Sequence, residues 1–438
     1  MPTSLPITPG QAADYGSGSA RTYIKASSVA NIFIGLAVFL GGFVVFEPAP
    51  YELLLAAMLF CAFMLGMRIP AGILPVLIPV ATFTLGGIIS SFMIDDYQRG
   101  LIYSAVTFFL GLTTVFYAIL IQNQMGRLRL IFRMYVLAAV ATSILGILGY
   151  FGMPGFEMFT RYDRAQGAFA DPNVYAPFLV PPILYLMYGV MNRSATMLPV
   201  RLGLLFVLLL GELLAGSRAG WGLTLASAGI FYILLLINEP KAQVRAKYIL
   251  MGVAGLAVLI VGVIGALQVD AVWAIISQRA QVVQEYDGAR LGRFARHAIG
   301  FELALSKPFG IGNLQFGVIY GEDEHNVYLR SLLTYGWIGF VSWLTIVLWP
   351  LIAGFKSLFR QRPWQVYFQV AYVAFLGHLM VAWVIDIDHW RHVYLLLGVI
   401  WGCILLERKW QKEVLKTRLS KAGRIAGTHP DSPRPAST

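Results

Sequence analysis

Charged side chains are scarce in this sequence. Only 13% of its 438 residues are Asp, Glu, Lys or Arg, which is about half the share found in soluble domains. Apolar residues make up 58% of the chain, and the mean hydropathy is +0.69. Because so few charges are available to cover a water-facing surface, the composition excludes a soluble fold and predicts an integral membrane protein.

Cysteines and metal-binding motifs are also scarce. Cys61 and Cys403 each lie inside an apolar run, and nothing about the redox compartment follows from them. The sequence has no Walker motif and no Cys/His spacing typical of a metal site, so neither a cofactor nor a metal is predicted. An internal repeat is missing too, which weakens an interpretation as a secondary transporter.

Apolar stretches long enough to cross a bilayer recur along the whole chain. They predict helices at about 29–46, 50–68, 71–94, 100–122, 128–152, 174–191, 197–215, 219–238, 246–268, 327–355, 365–386 and 389–406. The stretch 327–355 is too long for one perpendicular crossing, so we expect it to tilt or to begin as a short surface helix. The sequence thus predicts an all-α membrane protein with about twelve transmembrane helices and a large loop between helices nine and ten.

The basic residues give the orientation. The net charge is +11, but most Lys and Arg lie in every second gap between apolar runs, which is typical of membrane topology and not of nucleic-acid binding. Because basic loops stay cytoplasmic, both termini are predicted to be cytoplasmic. We therefore expect a disordered tail at 1–28 without a cleaved signal peptide, a membrane domain at 29–406 and a basic tail at 407–438. The loops 153–172 and 269–324 then face outward.

Several arginines lie in the outward segments, where this charge rule disfavours them. Arg164 begins the first motif, in which Asp171 and Pro172 are typical of a helix start and Asn173 follows. Arg218 lies in the tight turn 216–220. The long outer loop carries Arg279, Arg290, Arg293 and Arg296. One such arginine can simply contact headgroups, whereas several on one face indicate an anionic ligand, because Arg grips phosphate through two parallel donors.

A third motif follows Arg293. Fifteen residues later, Pro308 begins a Pro-Phe-Gly-Ile-Gly segment, and residues 325–329 then read His-Asn-Val-Tyr-Leu at the start of an apolar run. A His-Asn pair in this place could also be no more than a helix cap. That local alternative stays open for His325 taken alone.

In this order and on one side of the membrane, the three motifs resemble those of the O-antigen ligase and polymerase family. The resemblance covers about residues 150–345. It includes the Arg–Gly–Asn block, the Ser-Arg-Ala turn, the loop arginine and the complete His-Asn-x-Tyr-Leu pattern. One departure is visible, because the family usually has an aromatic residue four positions after the loop arginine and this chain has His297.

The resemblance implies a metal-independent, inverting glycosyltransferase of the bacterial inner membrane, with its active site at the periplasmic face. The expected donor is a glycan on undecaprenyl diphosphate, and the expected acceptor is lipid A–core in a ligase or a second lipid-linked glycan in a polymerase. Membrane lipids are the remaining partners, and nucleic acid is not expected. His325, Arg293 and Arg218 are predicted to be catalytic. Further substrate-binding residues are predicted at Arg164, Asn173, Arg290, Arg296, Asn326 and Tyr328.

Chemistry supports this assignment of roles. Fixed cations would stabilise the charge on a departing diphosphate, and an imidazole has a pKa suited to removing a hydroxyl proton near neutrality. His325 could equally hydrogen-bond the diphosphate. A rival site is the segment 386–392, whose two carboxylates and two imidazoles could ligate a metal. Because these residues are consecutive in a turn, they cannot all face one point, and a supporting role beside the active site fits them better. The alternatives that are not enzymes are a polysaccharide or lipid exporter and a membrane scaffold.

Overall fold

The structure is a computed structural model that describes residues 17–192, 195–268, 273 and 293–426. Within these residues the chain forms helices and a single two-stranded hairpin. The helices are α1 (Ser17–Leu40), α2 (Pro50–Met64), α3 (Leu74–Ser91), α4 (Tyr97–Asn123), α5 (Arg127–Tyr150), α6 (Pro172–Asn192), α7 (Leu198–Ala215), α8 (Arg218–Asn238), α9 (Ala242–Ala266), α10 (Arg293–Ser306), α11 (Gln315–Tyr320), α12 (Val327–Gly354), α13 (Gln365–Val381) and α14 (Arg391–Ala426). The hairpin strands are β1 (Thr160–Arg161) and β2 (Arg164–Ala165). The predicted all-α class is confirmed.

Each predicted apolar stretch coincides with one of these helices. In the part of the chain that the structure describes, eight segments are long and apolar enough to cross a membrane, and three shorter apolar helices accompany them. The beginning of α14 corresponds to the last predicted crossing, and the helix continues to Ala426 inside the predicted basic tail. At the other end, α1 begins at Ser17, inside the segment predicted as a disordered tail. Twelve crossings remain a prediction.

One continuous apolar core joins most of the long helices. Helix α3 packs between α4 and α12, α4 packs on α14, and α13 lies against α6, α8 and α14. A small second core, formed by Ala304, Phe316, Leu329 and Leu333, fixes α10 and α11 to the beginning of α12. The part of the long loop that follows residue 293 is thus packed onto the membrane helices.

Helix α12 is broken at Gly336, where φ is +68°. A Cβ at this position would lie 2.7 Å from the carbonyl oxygen of Pro308, so a residue without a side chain is needed both for the backbone angle and for the space. The Trp337 amide donates to that same carbonyl at 2.9 Å. The break separates a short first segment from the rest of the helix, and the expected tilt or surface position of this stretch remains a prediction. The first segment is buried, with Val327, Leu333 and their neighbours inside the protein.

The loop between α5 and α6 folds back onto the helices. Its hairpin turns at Tyr162 and Asp163, which both have positive φ, and Phe169 forms a bridge with Val44 after α1. The Oδ1 atom of Asp171 accepts a hydrogen bond from the Asn173 amide at 2.7 Å. The predicted helix cap before α6 is confirmed.

Candidate functional site

His325 lies between two carboxylates just before α12. Its Nδ1 atom is 3.5 Å from Oδ2 of Asp386, and its Nε2 atom is 3.2 Å from Oε1 of Glu322. The backbone is left-handed here, with φ of +48°, a conformation that His tolerates better than most residues. The side chain stays 34% exposed. An imidazole held at both nitrogens yet open to solvent is suited to proton transfer.

These contacts shift the acid–base equilibrium of both partners. The hydrogen bond to Asp386 raises the pKa of His325 above its ordinary value; burial opposes this shift, and Glu322 adds to it. Burial would raise the pKa of Asp386, but the charge of Arg330 and the hydrogen bond to His325 outweigh it, so the pKa of Asp386 is lowered. Asp386 is therefore a carboxylate at neutral pH and stabilises the protonated imidazole.

Arg330 holds this carboxylate in place from inside the protein. Its Nε atom is 2.8 Å from Glu324, and its Nη2 atom is 2.7 Å from Asp323 and 3.2 Å from Asp386. Asp388 lies at 3.8 Å. Arg330 was not among the predicted site residues. A charged residue inside an apolar stretch was the available signal, since such residues are usually paired and functional.

Side chains of α4 complete the layer behind Asp386. The Tyr103 hydroxyl donates to Oδ2 of Asp388 at 3.1 Å, and its ring stacks on His389 at 4.0 Å. Oγ1 of Thr107 lies 2.8 Å from Nε2 of His389. These contacts fix the segment between α13 and α14 against α4, and its supporting role beside the site remains a prediction.

The polar side chains of the segment 386–392 point to separate partners. Asp386 contacts His325, whereas His392 lies 3.1 Å from His378 inside the protein. Arg391 pairs with Glu47 and Glu52 near the loop between α1 and α2. This divergence argues against the alternative in which the segment gathers around one ion.

Helix α10 contributes two residues to the same region. Arg296 is buried and forms an ion pair with Glu322, while its Nε atom has no hydrogen-bond partner among the described residues. Nε2 of His297 lies 2.8 Å from the carbonyl oxygen of Glu324. The unusual His297 thus connects α10 to the loop that carries His325. Arg296 and His325 share Glu322 as a partner, so the structure brings these two predicted residues together.

Asn326 and Tyr328 have structural contacts of their own. Oδ1 of Asn326 caps α12 by accepting from the amides of Tyr328 and Leu329 at 3.0 and 3.1 Å. The Tyr328 hydroxyl donates to the carbonyl oxygen of Leu379 in α13 at 2.9 Å. The cap suggested by the sequence is confirmed, and substrate binding by these two residues remains a prediction.

A second cluster joins the first two sequence motifs. Arg164 is buried and donates from Nε to the carbonyl oxygen of Ala215 at 2.6 Å and from Nη2 to Oδ1 of Asn173 at 2.8 Å. Gly216, which follows Ala215, has φ of +57°. Ser217 then caps α8 by accepting a hydrogen bond from the Gly220 amide. Arg164 and Asn173 thus fix the turn from which Arg218 emerges as the first residue of α8, half-buried.

The two clusters lie on either side of the end of α13. On one side Gly377 packs closely against Leu223 and Ser227 of α8. On the other side, α12 bonds to this helix end through Tyr328 and through the Val327 amide, which donates to the carbonyl oxygen of Ala382 at 3.0 Å. Arg290 and the side chain of Arg293 lie outside the described residues. A single cavity shared by the predicted arginines and His325 remains a prediction.

One segment of the chain matches a known protein-family model. Residues 203–344 match the O-antigen ligase model. This match covers about a third of the chain and confirms the resemblance that the three sequence motifs indicate. The matched segment includes Arg218, Arg293 and His325, whereas Arg164 and Asp386 lie outside it and are connected to the site by the contacts above. No curated protein matches the chain.

Proposed function

We propose that this protein is a membrane glycosyltransferase of the O-antigen ligase family that moves a glycan from undecaprenyl diphosphate to a hydroxyl group of lipid A–core. The observation that carries the proposal is the position of His325 between Asp386 and Glu322. A general base needs an imidazole whose orientation is fixed and whose second nitrogen can reach a substrate. His325 meets both requirements.

In this proposal the acceptor hydroxyl gives its proton to His325. With Nδ1 directed at Asp386, the proton of neutral imidazole sits on that side, and Nε2 is the accepting atom. Glu322 faces Nε2, so the acceptor hydroxyl must take the place of this carboxylate. The acceptor oxygen then forms the bond to the anomeric carbon as the bond to the diphosphate oxygen breaks. The diphosphate leaves with the bonding electrons, and the configuration is inverted.

The arginines would neutralise the departing diphosphate. We assign direct contacts to Arg218 and Arg293, with Arg290 and Arg296 as further cations around the phosphates. Arg164 already donates to Ala215 and Asn173, so its proposed role is to hold the turn that presents Arg218. Each fixed donor at such a site contributes about 3–4 kcal/mol, by analogy with oxyanion holes.

We place the reaction at the periplasmic face of the bacterial inner membrane, with both termini in the cytoplasm. The support is the charge distribution around the helix ends. Arg360 and Arg362, in the connection between α12 and α13, pair with Glu407 of α14, and the basic tail follows them. His325 lies at the opposite end of α12. Basic residues concentrate on the cytoplasmic side of membrane proteins.

Deleting the gene and separating the lipopolysaccharide on a gel tests this proposal. Bare core together with accumulated lipid-linked polymer identifies a ligase. Core that carries a single repeat identifies a polymerase, which uses the same donor and is the alternative. Restoration by the wild-type gene but not by His325→Asn would attribute the activity to this site. Unchanged lipopolysaccharide in the deletion strain would contradict the proposal and point to an exopolysaccharide.

A further inference from the structure

Trp383 is an exposed aromatic residue that packs on Tyr328, close in sequence to both members of the His325–Asp386 pair. It lies in the turn that follows α13, three residues before Asp386, and is 60% exposed. Its ring centroid lies 4.6 Å from that of Tyr328, which follows His325 by three residues. Both aromatic rings are therefore attached to the segments that carry the proposed base and its partner.

The position of this indole is fixed by the backbone around it. The Tyr328 hydroxyl bonds to Leu379, and the Val327 amide bonds to the carbonyl oxygen of Ala382, immediately before Trp383. The tilted ring of Tyr328 covers one side of the indole, so the exposed area lies on the remainder of the ring. A large aromatic surface that is held in place while open to solvent loses little entropy on binding a ligand.

We propose that Trp383, supported by Tyr328, is a stacking platform for a pyranose ring of the substrate. Sugars present faces of C–H groups that pack on aromatic rings, while their hydroxyl groups stay available for hydrogen bonds. Asp386 follows Trp383 by three residues, and His325, which contacts Asp386, precedes Tyr328 by three, so both side chains are available to receive such hydroxyl groups. The inference rests on the proposed glycosyl transfer. The stacked ring belongs either to the donor glycan or to the acceptor.

Kinetics of the purified full-length protein in lipid nanodiscs tests the platform. The variants are Trp383→Leu, which removes the ring, and Trp383→Phe, which keeps a smaller one. Trp349→Ala is the matched control, because Trp349 is also exposed, at 47%, but lies near the opposite end of α12. Lipid-linked glycan and lipid A–core are varied separately, each against a saturating amount of the other.

We expect Trp383→Leu to raise KM for one of the two substrates by roughly three- to tenfold, which is the effect of one lost aromatic contact, with kcat nearly unchanged. Trp383→Phe should recover most of the loss, and Trp349→Ala should match the wild type. A higher KM for the lipid-linked glycan places the donor sugar on the platform; a higher KM for lipid A–core places the acceptor there. Unchanged KM values for both would overturn the inference and leave Trp383 as an anchor at the membrane surface.

A measurement on the wild-type protein covers the case in which the Leu variant does not fold. Hydroxyl-radical oxidation of Trp383 is followed by mass spectrometry with and without each substrate, and Trp349 serves as the internal reference. Protection confined to Trp383 supports the platform, and equal oxidation in all samples overturns it. If wild-type protein transfers no glycan at all, the proposed function fails. If transfer is normal in Trp383→Leu but lost in His325→Asn, only the platform fails.

Discussion

Arg330 and His325 are linked through a single oxygen atom, Oδ2 of Asp386. That atom lies 3.2 Å from Nη2 of Arg330 on the buried side and 3.5 Å from Nδ1 of His325 on the exposed side. Arg330 is itself fixed by Glu324 and Asp323. The orientation of His325 is therefore determined by a chain of charged contacts that begins inside the helices.

Replacing Asp386 with Asn should change the pH dependence of the reaction. The Asp386 carboxylate raises the pKa of His325, and a base must be unprotonated to act. The rate should therefore rise with pH through this raised pKa in the wild type. A neutral Asn removes the stabilisation of imidazolium, so the rising limb of kcat/KM should move to lower pH and the plateau should fall. A limb in the same place as in wild type would show that His325 does not titrate against Asp386.

Replacing His325 with Asn should abolish transfer while the protein still folds. Asn is among the residues that tolerate the left-handed backbone found at this position, so little strain is added. Loss of a general base lowers rates by about 10²- to 10⁴-fold. The matched control is His297→Asn, since His297 is a histidine of the same region whose Nε2 atom contacts the backbone carbonyl oxygen of Glu324. Activity within a few-fold of wild type in His325→Asn, with equal expression, would exclude this residue as the base.

Arg330→Met should destabilise the protein strongly. It leaves Glu324, Asp386 and Asp388 without their buried cation, and removing one partner of a buried ion pair costs about 3–5 kcal/mol. The loss of Tm should shrink as pH falls, because protonated carboxyl groups need no cation. Thermal unfolding in detergent at several pH values measures this. A Tm loss that is the same at every pH would mean that packing of the side chain, and not its charge, is what the variant removes.

The sequence predicts the helices of this protein far better than it predicts their contacts. Each apolar stretch coincides with a helix, because length and hydropathy are local properties. The cap at Asp171 was also predictable, since a cap depends on neighbouring residues alone. The break at Gly336 could not be predicted, because it makes room for the loop at residues 308–310, which packs against α12 at this position. Tertiary contacts of this kind leave no periodic signal.

In the candidate site, too, some residues could be predicted from the sequence, whereas their contacts could not. The arginines stood out because the charge rule disfavours them in outward segments, and His325 stood out because it begins the His-Asn-Val-Tyr-Leu motif. Their pairing with particular partners could not be predicted. Asp386 is distant in sequence from His325, and Arg330 was hidden inside an apolar run. The contact between Arg164 and the carbonyl oxygen of Ala215 could not be predicted, since any residue supplies a carbonyl group.

Replacing Arg218 or Arg293 with Lys should remove most activity and leave expression intact. Lysine keeps the positive charge but not the planar pair of donors that grips a diphosphate. In vivo complementation of a deletion strain, with quantification of the protein in membranes, measures both effects. Arg245→Lys is a suitable control, because Arg245 lies at the other end of the helices and bonds only to the backbone of Glu239 among the described residues. Near-normal transfer in both Lys variants would show that these arginines only contact lipid headgroups and do not grip the diphosphate.

Transfer by the purified protein should persist in excess EDTA. Arginine side chains stay charged at every physiological pH, so a cluster of guanidinium groups can neutralise the leaving diphosphate without a divalent ion. By the same argument, Asp386 and Asp388 act on His325 and its surroundings and not on a metal. Replacing both with Asn should reduce the rate less than replacing His325. Catalysis by a Lewis acid predicts the opposite order, because removal of the ion would remove the main source of charge stabilisation. Activity that is lost in chelator and recovered on adding Mg²⁺ or Mn²⁺ would refute the arginine mechanism while leaving glycosyl transfer itself intact.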